Sequence, residues 1–161
     1  MASDELTQCL IAQIQEVQSQ HPDLELVFMP SGIYVVQGFV RFSIEHSGHT
    51  IKDGYNIALT ISEDYPDSPP VAWETGNAIP KNFHHYKAGN LCLGVLIEIR
   101  RVFAQDKKLI SFINRQLIPY LFSYSYFRDF EQMPYGELSH LTGILVYYKE
   151  FLGVDSLTAL K

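Results

Sequence analysis

Tyr34-Val35-Val36-Gln37-Gly38-Phe39-Val40-Arg41-Phe42-Ser43-Ile44-Glu45-His46-Ser47-Gly48-His49 decides the fold of this chain. Tyr34, Val36, Gly38, Val40, Phe42 and Ile44 alternate with Val35, Gln37, Phe39, Arg41 and Ser43. A period of two sends successive side chains to opposite faces, so the run predicts a strand with one buried face. His46-Ser47-Gly48-His49 predicts a hairpin turn, with glycine where a positive φ is needed. Beyond it Tyr55, Ile57, Leu59 and Ile61 continue the alternation. Before it Leu24, Leu26 and Phe28 alternate with Glu25 and Val27, and Pro30-Ser31-Gly32 reads as a turn. After Asp64 to Pro70, Val71-Ala72-Trp73-Glu74 reads as a fourth strand. Connections this short predict an antiparallel meander.

Helices flank the strands. Ser3 to Gln20 carries Leu6, Cys9 or Leu10, Ile14 and Val17 at steps of three and four, which makes one apolar face. Ser3 suits an N-cap, and Asp4 and Glu5 suit the positive end of the helix dipole. His21-Pro22 stops the helix, because the residue before proline is pushed out of the α region. Residues 75–108 show little regular period and read as a long irregular loop. Leu109 to Phe127 returns to a helical pattern, with Pro119 expected to kink or split it. Pro134 to Leu152 reads as a final helix with Leu138, Leu141, Leu145, Tyr148 and Leu152 as its stripe and Gly153 as its stop. Helices and strands segregated in this order predict an α+β domain.

The 161 residues suit one domain, and 47% apolar residues suffice for a core. The net charge of −6 argues against a nucleic-acid partner, since phosphate neutralisation calls for a basic surface. Charge is uneven. Residues 1–80 hold eleven acids and two bases, and residues 81–161 hold seven acids and ten bases. The acidic Met1-Ala2-Ser3-Asp4-Glu5 lacks the positive start of a secretory signal. The uncharged run Leu26 to Val40 contains Pro30, Gly32 and Gly38 and does not read as a membrane span. The chain is therefore expected to be cytoplasmic, with no membrane partner and with Cys9 and Cys92 both reduced.

The stretch Asn77-Ala78-Ile79-Pro80-Lys81-Asn82-Phe83-His84-His85-Tyr86-Lys87-Ala88-Gly89-Asn90-Leu91-Cys92-Leu93-Gly94 is where chemistry is expected. Long segments without regular structure are uncommon inside compact domains and tend to be functional. Gly89 and Gly94 flank Cys92 and permit tight turns around the sulfur. The thiolate is the reactive form, and His84, His85 and Lys87 favour it if they face the sulfur. The alternative is a small buried strand, Leu91-Cys92-Leu93, with Cys92 acting as a hydrophobe. Cys9 lies on a helix face and is expected to be inert. Tyr120, Tyr124, Tyr126 and Phe127 read as core or partner surface. Arg100, Arg101, Lys107 and Lys108 are expected either to dock an acidic partner tail or to form an exposed charged loop. Neither a phosphate-binding glycine loop nor a zinc spacing is present, so no cofactor or metal is expected.

Tyr65-Pro66-Asp67-Ser68-Pro69-Pro70, followed by a short strand, a His-bearing segment and Leu91-Cys92-Leu93, resembles the ubiquitin-conjugating enzymes. Asn90-Leu91-Cys92-Leu93-Gly94, Ile118-Pro119-Tyr120-Leu121, Tyr147-Tyr148 and Pro134 to Gly143 resemble their bacterial conjugating-enzyme-like branch. Some members of that branch are stand-alone components of cyclic-oligonucleotide antiphage (CBASS) operons, and others sit beside small ubiquitin-like proteins. The resemblance implies a UBC-like fold over residues 1–161: N-terminal helix, four-stranded antiparallel meander, catalytic-cysteine loop and C-terminal helices.

The activity it implies is acyl transfer. Cys92 would take the C-terminal glycyl carbonyl of a partner protein as a thioester and pass it to an amine. The partner would be a cyclic-nucleotide synthase or a ubiquitin-like protein, with a possible activating enzyme. His84 or His85 would orient the loop or polarise the carbonyl, and His140 would reach the thioester from the last helix. The chain lacks the asparagine of the family's His-Pro-Asn, since Tyr86 and Lys87 follow His85. Asn90, Asn82 or backbone N–H groups near Gly94 are the substitutes for oxyanion support. The family's tryptophan after the cysteine is also missing, and Phe103 is expected in its space. Two other functions compete: a non-catalytic binding module of the same fold, and a cysteine peptidase using Cys92, a histidine and an acid such as Asp129. The peptidase is disfavoured because Gly94-Val95-Leu96-Ile97 gives no clear helix start.

Overall fold

The computed structural model of the protein describes residues 3–135. Helix α1 spans Ser3–Gln20 and is followed by strands β1 (Leu24–Phe28), β2 (Tyr34–His46), β3 (His49–Ile61) and β4 (Val71–Glu74). The sheet order is β1-β2-β3-β4, with every neighbouring pair antiparallel. This is the meander that the alternation predicts. The turn between β2 and β3 holds Ser47 and Gly48 at φ of 50° and 79°. Two successive positive φ values match the twist of a tight hairpin. Along the inner face Val36, Val40, Phe42, Tyr55, Ile57, Leu59 and Ile61 are buried, while Arg41, Ser43, Lys52 and Asn56 on the outer face are exposed.

Helix α1 lies over β1 and presents Leu6, Leu10, Ile14 and Val17 to the core. Leu10 occupies the centre of that stripe, and Cys9 packs at its margin. Each such side chain contributes roughly 1.5–3 kcal/mol by leaving water. Helix α3 (Leu109–Phe112) runs through a π-helical turn (Ile113–Leu117) into helix α4 (Ile118–Phe130). Pro119 stands in the first turn of α4, directly after the wide turn. Proline lacks an N–H and crowds the preceding turn, which the wider winding accommodates. The helical prediction for this stretch holds, and the break falls where the proline places it.

The structure corrects one reading. The stretch 75–108 is not irregular throughout: Leu96–Phe103 forms helix α2. The eight-residue helix has Val95 as its N-cap residue, with no side-chain capping bond, and Leu96 and Ile97 are exposed. Of the final helix expected over Pro134 to Leu152, Pro134 and Tyr135 are described and form a turn; the remainder, with its stripe and with His140, lies outside the described residues.

Two polar junctions lock the layers together. The Gln13 side-chain oxygen accepts the Tyr65 hydroxyl at 2.6 Å and the Leu109 N–H at 2.8 Å. One amide from α1 thereby anchors the Tyr65 corner and satisfies an open donor at the start of α3. Between β3 and α4, the Asp53 carboxylate accepts hydrogen bonds from the Ser125 hydroxyl at 2.7 Å, the Tyr55 hydroxyl at 3.0 Å and the Gly54 N–H at 2.8 Å. Arg128 adds an ion pair at 2.9 Å. Burial pushes the Asp53 carboxyl up, but the hydrogen bonds from Ser125, Gly54, Tyr55 and Arg128 outweigh it and hold it below the ordinary carboxylate value.

Two predictions follow from these contacts. Gly38 sits opposite Leu24 with φ of 140°, and a Cβ there would stand 1.9 Å from the Asp23 carbonyl oxygen. Gly38→Ala should therefore cost at least about 2–3 kcal/mol, read as a lower urea midpoint. Because the folded Asp53 titrates below its unfolded value, its contribution is present above the ordinary carboxylate range. It is lost as pH falls through the folded value. Asp53→Asn should cost about 1–3 kcal/mol at pH 6, and the difference from the native protein should shrink in strong acid.

Candidate functional site

Cys92 lies in a small hairpin that leaves β4 and returns toward α2. The Leu91 N–H donates to the Ala72 carbonyl at 2.8 Å, which fastens the returning arm to β4. An antiparallel bridge pairs His85 with Leu91. Tyr86 N–H to Asn90 O at 2.9 Å and Cys92 N–H to His84 O at 2.8 Å flank that bridge. Gly89 closes the hairpin at φ of 96°, in the left-handed region that glycine enters freely.

This register sorts the candidate residues. Alternation places Tyr86, Asn90 and Cys92 on one face of the hairpin and His85 and Leu91 on the other. Burial, and then the neighbouring Cys92, push the Tyr86 phenol up to about 12. It stays a protonated donor at neutral pH. The Cys92 thiol reaches the Gly94 carbonyl at 3.8 Å. Cys92 itself is 7% exposed. Gly94 has φ of 150° and open space where a side chain would stand.

The two imidazoles have different positions. His85 Nδ1 lies 2.7 Å from the Phe83 carbonyl oxygen and braces its own loop. His84 has φ of 42°, and its ring meets Phe83 edge-on at 4.8 Å. Its carbonyl accepts Cys92 N–H. Asn90 uses its backbone carbonyl in the hairpin, and Asn82 is exposed one residue before the buried Phe83. His140 lies outside the described residues.

Helix α4 supports the hairpin from below. Tyr120 donates to the Phe83 carbonyl at 3.0 Å and reaches the His84 carbonyl at 3.3 Å. Tyr124 donates to the Ala78 carbonyl at 3.1 Å. Burial, then the nearby Cys92 and Glu74, push the Tyr120 phenol up, so it too remains a donor. Glu74 at the end of β4 accepts the N–H groups of Gly76, Ala78 and Ile79. These contacts place Tyr120 and Tyr124 in the core, as the sequence suggests, and add a role in holding the cysteine loop.

A cleft of about 300 Å³ opens beside the hairpin, with Pro69, Pro70, Tyr86, Leu93, Leu96 and Arg100 among its walls. Arg101 pairs with Glu98, Lys107 with Asp67 and Lys108 with Glu16. Among the described residues, Arg100 faces the cleft without an ion-pair partner. Phe103 is buried against Tyr65 and Phe112, at ring separations of 5.9 and 6.1 Å. Asp129 is exposed and pairs with Arg128. A helix does start after Gly94, at Leu96, where the sequence gives no clear start and Val95 supplies no capping side chain. Cys92 nevertheless stands in the hairpin arm rather than at that helix start.

Sequence reasoning missed that Tyr86 shares a hairpin face with Cys92. The signal was present in the spacing: Tyr86 and Cys92 fall on one face only once Gly89 is taken as the hairpin turn. Among the described residues no helix is long and apolar enough to cross a membrane. Comparison of the chain with known protein families, curated proteins and solved structures found no match.

If Tyr120 holds the hairpin, Tyr120→Phe should cost about 1–2 kcal/mol. It should also speed amide hydrogen exchange at Cys92 while leaving the central pairs of β2 and β3 unchanged. Equal exchange at Cys92 in the two proteins would contradict this role.

Proposed function

We propose that this protein is a conjugating-enzyme-like cysteine acyl-transferase. Cys92 attacks an activated C-terminal glycyl carbonyl of a partner protein. The thiol gives its proton to water, and a C–S bond forms as the bond to the donor's leaving group breaks, its electron pair going to that group. An amine then attacks the thioester, a C–N bond forms, the electron pair of the broken C–S bond goes to sulfur, and the amine's surplus proton goes to water.

The observation that carries this reading is the placement of Cys92. It stands in a backbone-locked hairpin that follows the fourth strand of a helix-first antiparallel meander. The Tyr-Pro-x-x-Pro-Pro resemblance agrees with that placement, since Tyr65 is 1% exposed and anchors its corner through Gln13. Gly94 supports it too, because open space at its α-carbon leaves room for a substrate backbone beside the sulfur. In this reading the partner is a bacterial cyclic-nucleotide synthase of an antiphage operon or a ubiquitin-like protein, and an activating enzyme supplies the acyl donor. Asn90 and the N–H groups around Gly94 are the candidates for oxyanion support, and His84 and His85 act through the shape of the loop.

A non-catalytic binding module of the same fold is the second reading, favoured by the 7% exposure of Cys92. The two separate on one experiment. Incubation with partner, activating enzyme and ATP should yield an adduct sensitive to thiols and hydroxylamine, seen by intact mass. Cys92→Ala should abolish it, and Cys9→Ser should not. An adduct that persists in Cys92→Ala, or no adduct in the native protein, would sink the acyl-transfer reading.

A further inference from the structure

Strand β1 is an outer strand of the sheet, and part of its backbone faces away from β2. The Leu24 N–H donates to the His21 carbonyl at 3.1 Å, and the Leu24 carbonyl accepts the Gln18 side-chain amide at 2.8 Å. Leu24 therefore points outward. At the other end the Met29 N–H donates to the Ile33 carbonyl at 2.9 Å, so Met29 points inward. Alternation along an antiparallel ladder then turns Leu26 and Phe28 outward with Leu24. Their N–H and C=O groups have no partner among the described residues. The side chains beside them are open too. Phe28 leans on Tyr34 at a ring separation of 4.7 Å and is still 60% exposed. Helix α1 turns one stripe toward this edge, since Thr7 meets the Tyr34 hydroxyl at 2.6 Å and Gln18 bonds Leu24. Ile11 lies on that stripe, between Thr7 and Gln18, and is 43% exposed.

We propose that this edge is a self-association surface whose occupant is the same edge of a second copy of the chain. A two-fold axis through Val27 sets Leu26 opposite Phe28 of the second copy, and Phe28 opposite its Leu26. Both become hydrogen-bonded pairs, so every open group at Leu26 and Phe28 of each chain finds a partner. Other registers fail. A shift of two residues opposes these groups either to Leu24, whose own are taken, or to Pro30, which has no N–H. On the inner face Phe28 then lies between Tyr34 of its own chain and Leu26 of the second copy, which covers the ring. Charge permits this pairing. Gln8, Ile11, Gln15 and Gln18 make an uncharged strip in a half of the chain that holds eleven acids and two bases. An acidic surface repels an identical copy, and this strip does not. Glu25 falls opposite Met29 of the second copy, so no like charges meet across the axis. Within β1 there is neither lysine nor proline, the residues that commonly protect an edge from pairing. The cysteine hairpin is fastened to β4, at the opposite edge of the sheet, so pairing at β1 is independent of the chemistry at Cys92.

An interface of this kind is small, so a reversible dimer with a dissociation constant of about 0.1 mM is expected. Sedimentation velocity of the full chain, from about 10 µM to about 1 mM, should show the mass rising from one chain toward two. Phe28→Pro removes the ring and one outward N–H and leaves the inward ladder to β2 intact. Ile11→Lys places like charges on the strip of both copies. Each should weaken the dimer at least about tenfold, with a thermal melt showing that the variant is folded. Register is read by cross-linking in the full chain carrying Cys9→Ser and Cys92→Ala. Val27→Cys puts a thiol on the axis, where opposed α-carbons of a non-hydrogen-bonded pair stand about 4.5 Å apart, within reach of a disulfide. Mild oxidation should couple that variant at least about tenfold faster than Glu25→Cys, whose thiols lie far apart across the axis. A native chain that stays monomeric at the highest concentration would overturn the proposal. Equal coupling of the two cysteine variants, or a dimer that survives both Phe28→Pro and Ile11→Lys, would overturn it as well, because the copies would then meet through another surface.

Discussion

The carbonyl oxygen of His84 fixes the position of the sulfur. It accepts the Cys92 N–H from across the hairpin at 2.8 Å, and the Tyr120 hydroxyl of α4, which donates to the Phe83 carbonyl at 3.0 Å, lies 3.3 Å from it. The left-handed backbone of His84 costs a non-glycine residue roughly 1–2 kcal/mol, and the hydrogen bond from Cys92 helps offset it. The imidazole that the sequence offers for chemistry is thus tied to a residue whose backbone does the positioning.

The rest of the fold keeps that oxygen in place. Helix α4 is held to the sheet by Ser125 and Arg128 on Asp53, and by Phe122 against Phe42 at 6.4 Å. Helix α3, which leads into α4, starts on the Gln13 side chain of α1. The same Gln13 oxygen holds Tyr65, so the proline-rich corner and the helix entry share one acceptor. The end of α1 is tied to the same region, where His21 meets Asn114 of the π-helical turn at 3.0 Å.

The sheet was legible because its strands bury one face, and burial writes a period of two into the sequence. Tyr34 to His46 and His49 to Ile61 carry that period over long runs, with Ser47-Gly48 between them. Helix α1 was legible through Leu6, Leu10, Ile14 and Val17. Helix α2 was not, for physical reasons. It is short, Val95 supplies no cap, and Ile97, Ile99 and Val102 are β-branched residues with weaker helix preference. Its first apolar residue, Leu96, is 52% exposed, so hydrophobic periodicity does not report a buried stripe there. Nothing local in α1 marks Gln13 as an acceptor for Tyr65 and Leu109, more than fifty positions away.

The site shows the same division between what is local and what is not. The glycines around Cys92 are a local signal, and they do sit at the turns. Which side chain lies on the face of the sulfur depends on register, and register depends on which residue closes the hairpin. With Gly89 at the turn, Tyr86 shares that face with Cys92; a slip of one residue would exchange it for His85. That one-residue dependence is why the adjacent histidines read alike in the sequence while the hairpin separates them: the His84 carbonyl takes the Cys92 N–H, and the His85 ring turns back to the Phe83 carbonyl.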